Sequence, residues 1–298
     1  MGDTWRVSRT VVAVNAHPDD EALLMSGTLA KAAAAGDRVV LVVATDGDLG
    51  LTSSDYRDGH LGTLGARRLR EVQASARAIG AADVEWLGYA DSGMVGEVPP
   101  DPPDRLRLLR ADPDEVADRI AAILVRERAD VVIGYDRNGG YGHRDHIRVH
   151  EVTRAAAAIA GSPRLLEATV PRETITRAVA FARRLPGVTI DVDLVAWQRA
   201  FTPSAQITHR IDVRGQIPAK RASMAAHATQ AAADDGADRT LAAFLRLPRP
   251  LYDLVFGREW FVDATASAAS KPGSASGSGS GSGSRRDDIF AGLDGSRR

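Results

Sequence analysis

The sequence predicts a three-layer α/β sandwich on a mainly parallel sheet, followed by a small C-terminal subdomain. Three observations carry that reading. Short β-branched runs alternate with longer Ala- and Leu-rich segments over the first two-thirds of the 298 residues, the Arg38–Ala44 run is apolar on both faces, and polar clusters follow the ends of two strands. Runs buried on both faces belong to parallel strands, and helical segments between them supply the crossovers that parallel pairing requires.

Taken in order, Thr10–Asn15 is a β-branched run that ends at Ala16 and His17-Pro18-Asp19-Asp20. Glu21–Ala35 reads as a helix, with Asp19 or Asp20 placed to cap it. Arg38–Ala44 reads as a buried strand with the loop Thr45–Gly50 at its C-terminal end. A charged helix over Leu64–Ile79 leads to a strand at Val84–Gly88. The next helix, Pro113–Arg128, carries Val116, Ile120, Ile123 and Leu124 at helical spacing and leads to Val131–Tyr135. A helix His143–Ala160 and a strand Leu165–Val170 complete the pattern. The whole of residues 1–171 is Rossmann-like, a class in which ligands bind at the C-terminal ends of the strands.

Beyond residue 171 the pattern loosens. Strands at Val188–Val192, Ile207–Val213 and Trp260–Val262 and a helix at Ala219–Ala233 are assigned to a subdomain, 172–263, expected to wall one side of the site. Residues 264–298 read as a flexible tail: a Gly/Ser tract to Ser284, then Ile289-Phe290-Ala291-Gly292-Leu293 between charges. A short docking peptide is the second reading of that last stretch.

Composition excludes several classes. Lys+Arg of 38 against Asp+Glu of 39 gives a net charge of -1, without the basic excess of a nucleic-acid protein. With no Cys, any metal site must use His, Asp and Glu. No run approaches the roughly 18 apolar residues of a membrane span. The N-terminus carries no charged-then-apolar leader, so the expected location is the cytoplasm. Neither GxGxxG after a strand, nor GxxxxGK[ST], nor GxSxG occurs, so nucleotide-binding and serine-hydrolase readings lack their loops.

Chemistry concentrates in His17-Pro18-Asp19-Asp20-Glu21 and in Tyr141-Gly142-His143-Arg144-Asp145-His146 with His150, each following an apolar strand. A helix start accounts for one or two acids. It does not account for a His with three consecutive acids at a strand end. A His₂-carboxylate set with one open position does. His17 and Asp20, three residues apart across a turn, can point at one ion. The third ligand must come from the second cluster, where His146 is preferred and the i,i+4 pair His146–His150 is the alternative. Asp19, beside the ion, can take a proton from a water whose pKa zinc lowers to about 7. Fe(II) suits the same donors.

These motifs resemble the zinc-dependent N-acetylglucosaminyl deacetylases of the PIG-L/LmbE type. Arg68-Leu69-Arg70-Glu71 before Ala76 and Gly80, and Lys220 through His227-Ala228-Thr229-Gln230, extend the resemblance to roughly residues 10–262. Asp91-Ser92-Gly93-Met94 and the stretch Tyr135–His143 are similar to the actinobacterial mycothiol branch, which holds a glucosaminyl-inositol-forming deacetylase and a mycothiol-conjugate amidase. The resemblance implies His17, Asp20 and His146 as zinc ligands and Asp19 as general base. It implies His143 as the group that polarises or protonates the tetrahedral intermediate, Asp145 as the carboxylate orienting a neighbouring His, and Tyr141 as a mobile pocket residue assisting the oxyanion. Arg68 and Asp91 would hold substrate hydroxyls. His60, His209 and His227 have weaker claims.

The expected activity is removal of an N-acetyl group from a small-molecule amino sugar. The nearest rivals are an amidase of mycothiol-type conjugates and a natural-product glycoside deacetylase. A non-catalytic sugar-binding module, the rival from another class, would have no use for Asp19 beside a metal set. Leu23-Leu24-Met25 is more apolar than a hydroxyl-reading site suggests, and the loops Thr45–Gly50 and Pro99–Pro103 are expected at the pocket border.

Overall fold

Alternate side chains of Thr10–Asn15 (β1) enter two different cores, so this strand is covered on both faces. The computed structural model describes residues 8–50, 52, 56, 63–161, 163–182, 200–231, 240–265 and 285–293. Among these, Arg38–Thr45 (β2), Asp83–Tyr89 (β3), Val131–Tyr135 (β4), Arg164–Thr169 (β5), His209–Asp212 (β6) and Arg258–Asp263 (β7) join β1 in one seven-stranded sheet of order β3-β2-β1-β4-β5-β7-β6. The pairings from β3 to β5 are parallel; β7 is antiparallel to both neighbours.

Val12, Val14, Val40 and Val42 pack under Pro113–Glu127 (α4) and Arg144–Ile159 (α5). Val11, Ala13, Val39 and Leu41 pack under Ser26–Ala34 (α2) and Thr63–Ile79 (α3). Burial on both faces explains why these strands read as continuous apolar runs. α4 starts where the sequence places it, because Pro113 occupies its first turn and the Asp112 side chain accepts from the Asp114 N–H.

The first helix departs from expectation. Glu21–Ala35 is two helices, Asp20–Leu24 (α1) and α2, broken at Met25 with φ -144° and ψ -7°. Asp19 occupies the N-cap position of α1 but its side chain caps nothing. The late helix runs over Ile217–Ala226 and breaks at His227 before the short turn Ala228–Ala231. The strand expected at Val188–Val192 and the Gly/Ser tract 266–284 lie outside the described residues. β6 and β7, from the segment expected as a subdomain, extend the same sheet. Within the stretch expected as tail, with a docking peptide as its second reading, Ile289 and Phe290 are each 3 % exposed, in the core beneath α2.

The chain leaves β1 toward β2 on one side, while β4 lies on the other. That switch in strand order opens a crevice at the C-terminal ends of β1 and β4, where both polar clusters emerge. Among the described residues no helix is long and apolar enough to cross a membrane.

Candidate active site

β1 delivers His17 into the crevice, and the turn that follows is strained. Asp19 has φ 128° and ψ -20°, a conformation seldom adopted without glycine. Arg68, from α3, accounts for its persistence. Its Nη2 donates to the Pro18 carbonyl at 2.6 Å and lies 3.0 Å from Asp19 Oδ1, while Nη1 donates to the Gly47 carbonyl at 2.7 Å. Gly47, at φ +64°, has no room for a Cβ because the guanidinium fills that space. Arg68 is 3 % exposed, so it is not a solvated helix residue. Its fork is used on the Asp19 turn.

Three side chains converge beside this turn. His17 Nδ1 lies 3.1 Å from His146 Nε2 and 3.4 Å from Asp20 Oδ2, and His146 Nε2 lies 3.3 Å from Asp20 Oδ1. The opposite nitrogens are engaged elsewhere. His146 Nδ1 is 3.2 Å from the Gly139 carbonyl, and His17 Nε2 is 3.3 Å from Asp145 Oδ2, partners that assign the N–H to those outer nitrogens. With both rings neutral, as metal ligation requires, two imidazole lone pairs and the Asp20 carboxylate face one another. Such a cluster of acceptors suits a cation, and ligands about 2.0–2.2 Å from a tetrahedral zinc stand at about this mutual spacing. The residues therefore fit a metal ion. His143 adds a third ring: ligand atoms of His17, His143 and His146 lie within 4.8 Å of one another.

Tyr135, at the end of β4, was not singled out by sequence reasoning. Its hydroxyl donates to Asp20 Oδ2 at 2.5 Å and accepts the Ala16 N–H at 2.8 Å, and its ring stacks on His146 with centroids 4.3 Å apart. It thus fixes one ligand candidate from each cluster. The signal was its place at a strand end inside the Tyr135–His143 motif.

The charges follow from burial and proximity. Burial disfavours charge on Asp20, but His146, His17 and the Tyr135 hydroxyl outweigh it and hold its pKa well below the carboxylate range. Burial also opposes charge on His17, yet Asp91, Asp145 and Asp20 raise its pKa well above the ordinary value. Burial, reinforced by neighbouring imidazoles, pushes His143 and His146 down to about 4. Burial raises Asp19 to about 6, with Arg68 pulling the other way.

His143 Nδ1 accepts the Asp145 N–H at 3.1 Å, which leaves Nε2 as the N–H of the neutral ring. Asp145 is fully buried, and its Oδ2 accepts from the Ser92 N–H at 2.8 Å as well as facing His17. Asp91 is also buried: Oδ1 accepts from the Gly93 N–H at 2.7 Å and lies 3.6 Å from His17 Nε2. Its Oδ1 faces the histidine. Tyr141 is exposed and stands edge-on to His146, with centroids 5.0 Å apart. Gly139, at φ +60°, makes this turn possible, since a Cβ there would strike His146 and Ile147.

His150 turns away, to the Tyr135 carbonyl at 3.0 Å and to Glu167 at 3.5 Å. His209 sits on β6 and His60 lies outside the described residues. His227 is in contact with the motif: its Nε2 is 2.6 Å from Glu21 Oε1, which also accepts from Ser75 Oγ at 2.5 Å. Glu21 Oε2 in turn accepts the Asp19 N–H at 3.3 Å. This fully buried pair supports the strained turn from below. Arg107 bridges the two loops expected at the border, donating to the Pro100 carbonyl at 2.9 Å and lying 3.4 Å from Asp48, while Arg105 lies 2.6 Å from Asp46.

The family model described as GlcNAc-PI de-N-acetylase (PIG-L) matches residues 12–157. The chain is 35 % identical over 305 residues to a protein of Acidothermus cellulolyticus named 1D-myo-inositol 2-acetamido-2-deoxy-alpha-D-glucopyranoside deacetylase, covering 96 % of each. It is 33 % identical over 322 residues to a protein of the same name from Thermomonospora curvata, covering 99 % of each. Among solved structures, the N,N'-diacetylchitobiose deacetylase from Pyrococcus horikoshii, complexed with its inhibitor MPG, has a TM-score of 0.56 at 21 % identity, over 85 % of this chain and 83 % of that one. That likeness is one of fold. With the relatives matched end to end and the paired His-Asp clusters at one crevice, the chain belongs to the GlcNAc-PI de-N-acetylase family.

Proposed function

We propose that the protein hydrolyses the N-acetyl amide of an N-acetylglucosaminyl-inositol or a closely related glycoside, in the cytoplasm, giving acetate and a primary amine. The convergence of His17, Asp20 and His146 on one point, with Asp19 held beside it, carries this reading. The relatives' names supply the substrate class. His17, Asp20 and His146 would hold zinc. The chemistry that ion supplies when bound is polarisation of the acetyl carbonyl and acidification of a water to a pKa of about 7.

The chain's own residues do the rest. Asp19, ionised at neutral pH, removes a proton from the attacking water as its oxygen bonds to the acetyl carbon. The neutral His143 presents its Nε2–H to the oxygen that gains charge, a role in which losing one donor costs about 100-fold or more. Tyr141, exposed at the rim, is placed to close over that oxygen. The proton held on Asp19 then passes to the amine nitrogen as the C–N bond breaks. Asp145 and Asp91 orient His17, and Arg68 orients Asp19.

The test is primary-amine release from N-acetylglucosaminyl-inositol by protein of known zinc and iron content. Release that rises with zinc loading supports the proposal. A folded, zinc-loaded sample that releases nothing from this glycoside but cleaves a bulkier thiol conjugate or glycosylated natural product would overturn the substrate assignment.

A further inference from the structure

β6 is the outermost strand of the sheet, and an open edge strand offers its unpaired N–H and C=O groups to any extended chain. Here the chain's own C-terminal segment takes them. The Arg286 N–H donates to the Thr208 carbonyl at 2.9 Å, and the Arg210 N–H donates to the Arg286 carbonyl at 2.8 Å. The segment then turns under α2, where Ile289 and Phe290 are buried beside Ala32 and Ile211.

Two arginines, both at the N-terminal ends of strands, read its backbone. Arg164 Nη1, from the start of β5, donates to the carbonyls of Ile289 at 2.9 Å and Ala291 at 2.7 Å. Arg9, just before β1, donates to the carbonyls of Phe290 at 3.1 Å and Leu293 at 2.8 Å, and its guanidinium lies 5.3 Å from the Phe290 ring centroid. Strand pairing, two buried apolar side chains and four carbonyls met by fixed donors are the components of a peptide-recognition site. It lies at the end of the sheet opposite the His-Asp crevice.

We infer that the groove between β6 and α2, with Arg9 and Arg164, is a peptide-binding site whose occupant is this chain's own Asp-Ile-Phe-Ala-Gly-Leu segment, bound in cis. The segment is a separable ligand, joined to the body through the Gly/Ser-rich residues 266–284 and closing the β6 edge to a second copy.

The experiment uses the full chain with a specific protease site placed within residues 273–283, cut after folding. The expected result is a released-in-sequence but still bound fragment: it co-elutes with the body on gel filtration and is displaced by excess synthetic peptide covering 285–298. In the uncut chain, Phe290→Asp should speed hydrogen exchange at the Arg210 amide about tenfold or more. A fragment that separates at once from a folded body, or an Arg210 amide indifferent to Phe290→Asp, would overturn the inference. So would a dimeric uncut wild-type chain that Phe290→Asp converts to monomers, because the segment would then sit on the partner.

Discussion

Arg68 Nη2 stands 3.0 Å from Asp19 Oδ1 while the same guanidinium holds the carbonyls of Pro18 and Gly47. A residue with φ 128° is thereby locked from the side-chain end and from the backbone end at once. The contact explains both why Arg68 is buried and why Gly47 is glycine.

Arg68→Lys should lower kcat about 100-fold, because one ammonium cannot hold three acceptors and a catalytic group displaced by about 1 Å loses roughly that much. KM should change little and zinc should stay bound. Steady-state kinetics on N-acetylglucosaminyl-inositol check this; a rise in KM with kcat unchanged would return Arg68 to direct substrate binding.

The pair His227–Glu21, 2.6 Å apart and without solvent exposure, supports Asp19 from below. His227→Ala removes one partner of a buried ion pair and should destabilise the fold by about 3–5 kcal/mol. Urea unfolding of the variant measures it. A loss below about 1 kcal/mol would mean that the carboxylate is not left charged and alone.

Metal stoichiometry separates the ligand candidates. Asp20→Ala or His146→Ala should abolish tight zinc binding, since each removes one of three convergent donors, whereas His150→Ala should keep one zinc per chain. His150 is occupied by the Tyr135 carbonyl and Glu167. Elemental analysis after dialysis against chelator and reloading provides the readout.

His209 gives a pH dependence remote from the crevice. Burial, with Arg286 and Arg164 adding and Asp263 and Asp288 opposing, pushes its pKa down to about 4. The unfolded chain then binds a proton near pH 6.5 that the folded chain refuses, so stability is full above 6.5 and is lost as pH falls toward 4. The loss amounts to at most about 3 kcal/mol. His209→Phe should flatten this limb of a urea-midpoint profile between pH 7 and 4.5; an unchanged slope would place the titration elsewhere.

What the sequence made legible is what depends on neighbours along the chain. β1, β2 and β4 are short apolar runs buried on both faces, and the His17 and His146 clusters follow strand ends that the parallel topology brings together. The break at Met25 was hidden because Ala- and Leu-rich residues continue on both sides of it. The inward turn of Arg68 has no signal of its own, because Arg67, Arg68 and Arg70 share one helix and the pattern conceals which of them is buried. Tyr135 and the Glu21–His227 pair act through contacts across 115 and 206 residues, so their motifs mark the positions while local pattern does not show the partners. Ile289 and Phe290 read as tail or docking peptide because two apolar residues among charges show no periodicity, and their partners, Arg9, Arg164 and the core beneath α2, are distant in sequence.

The central claim is that Asp19 moves the proton while His17, Asp20 and His146 hold the metal. The most direct test measures zinc content and primary-amine release together for wild type and Asp19→Asn. The expected result is one zinc per chain in both, with turnover of the variant reduced by about 10²–10⁴-fold. Wild-type turnover in a zinc-loaded Asp19→Asn protein would contradict the claim.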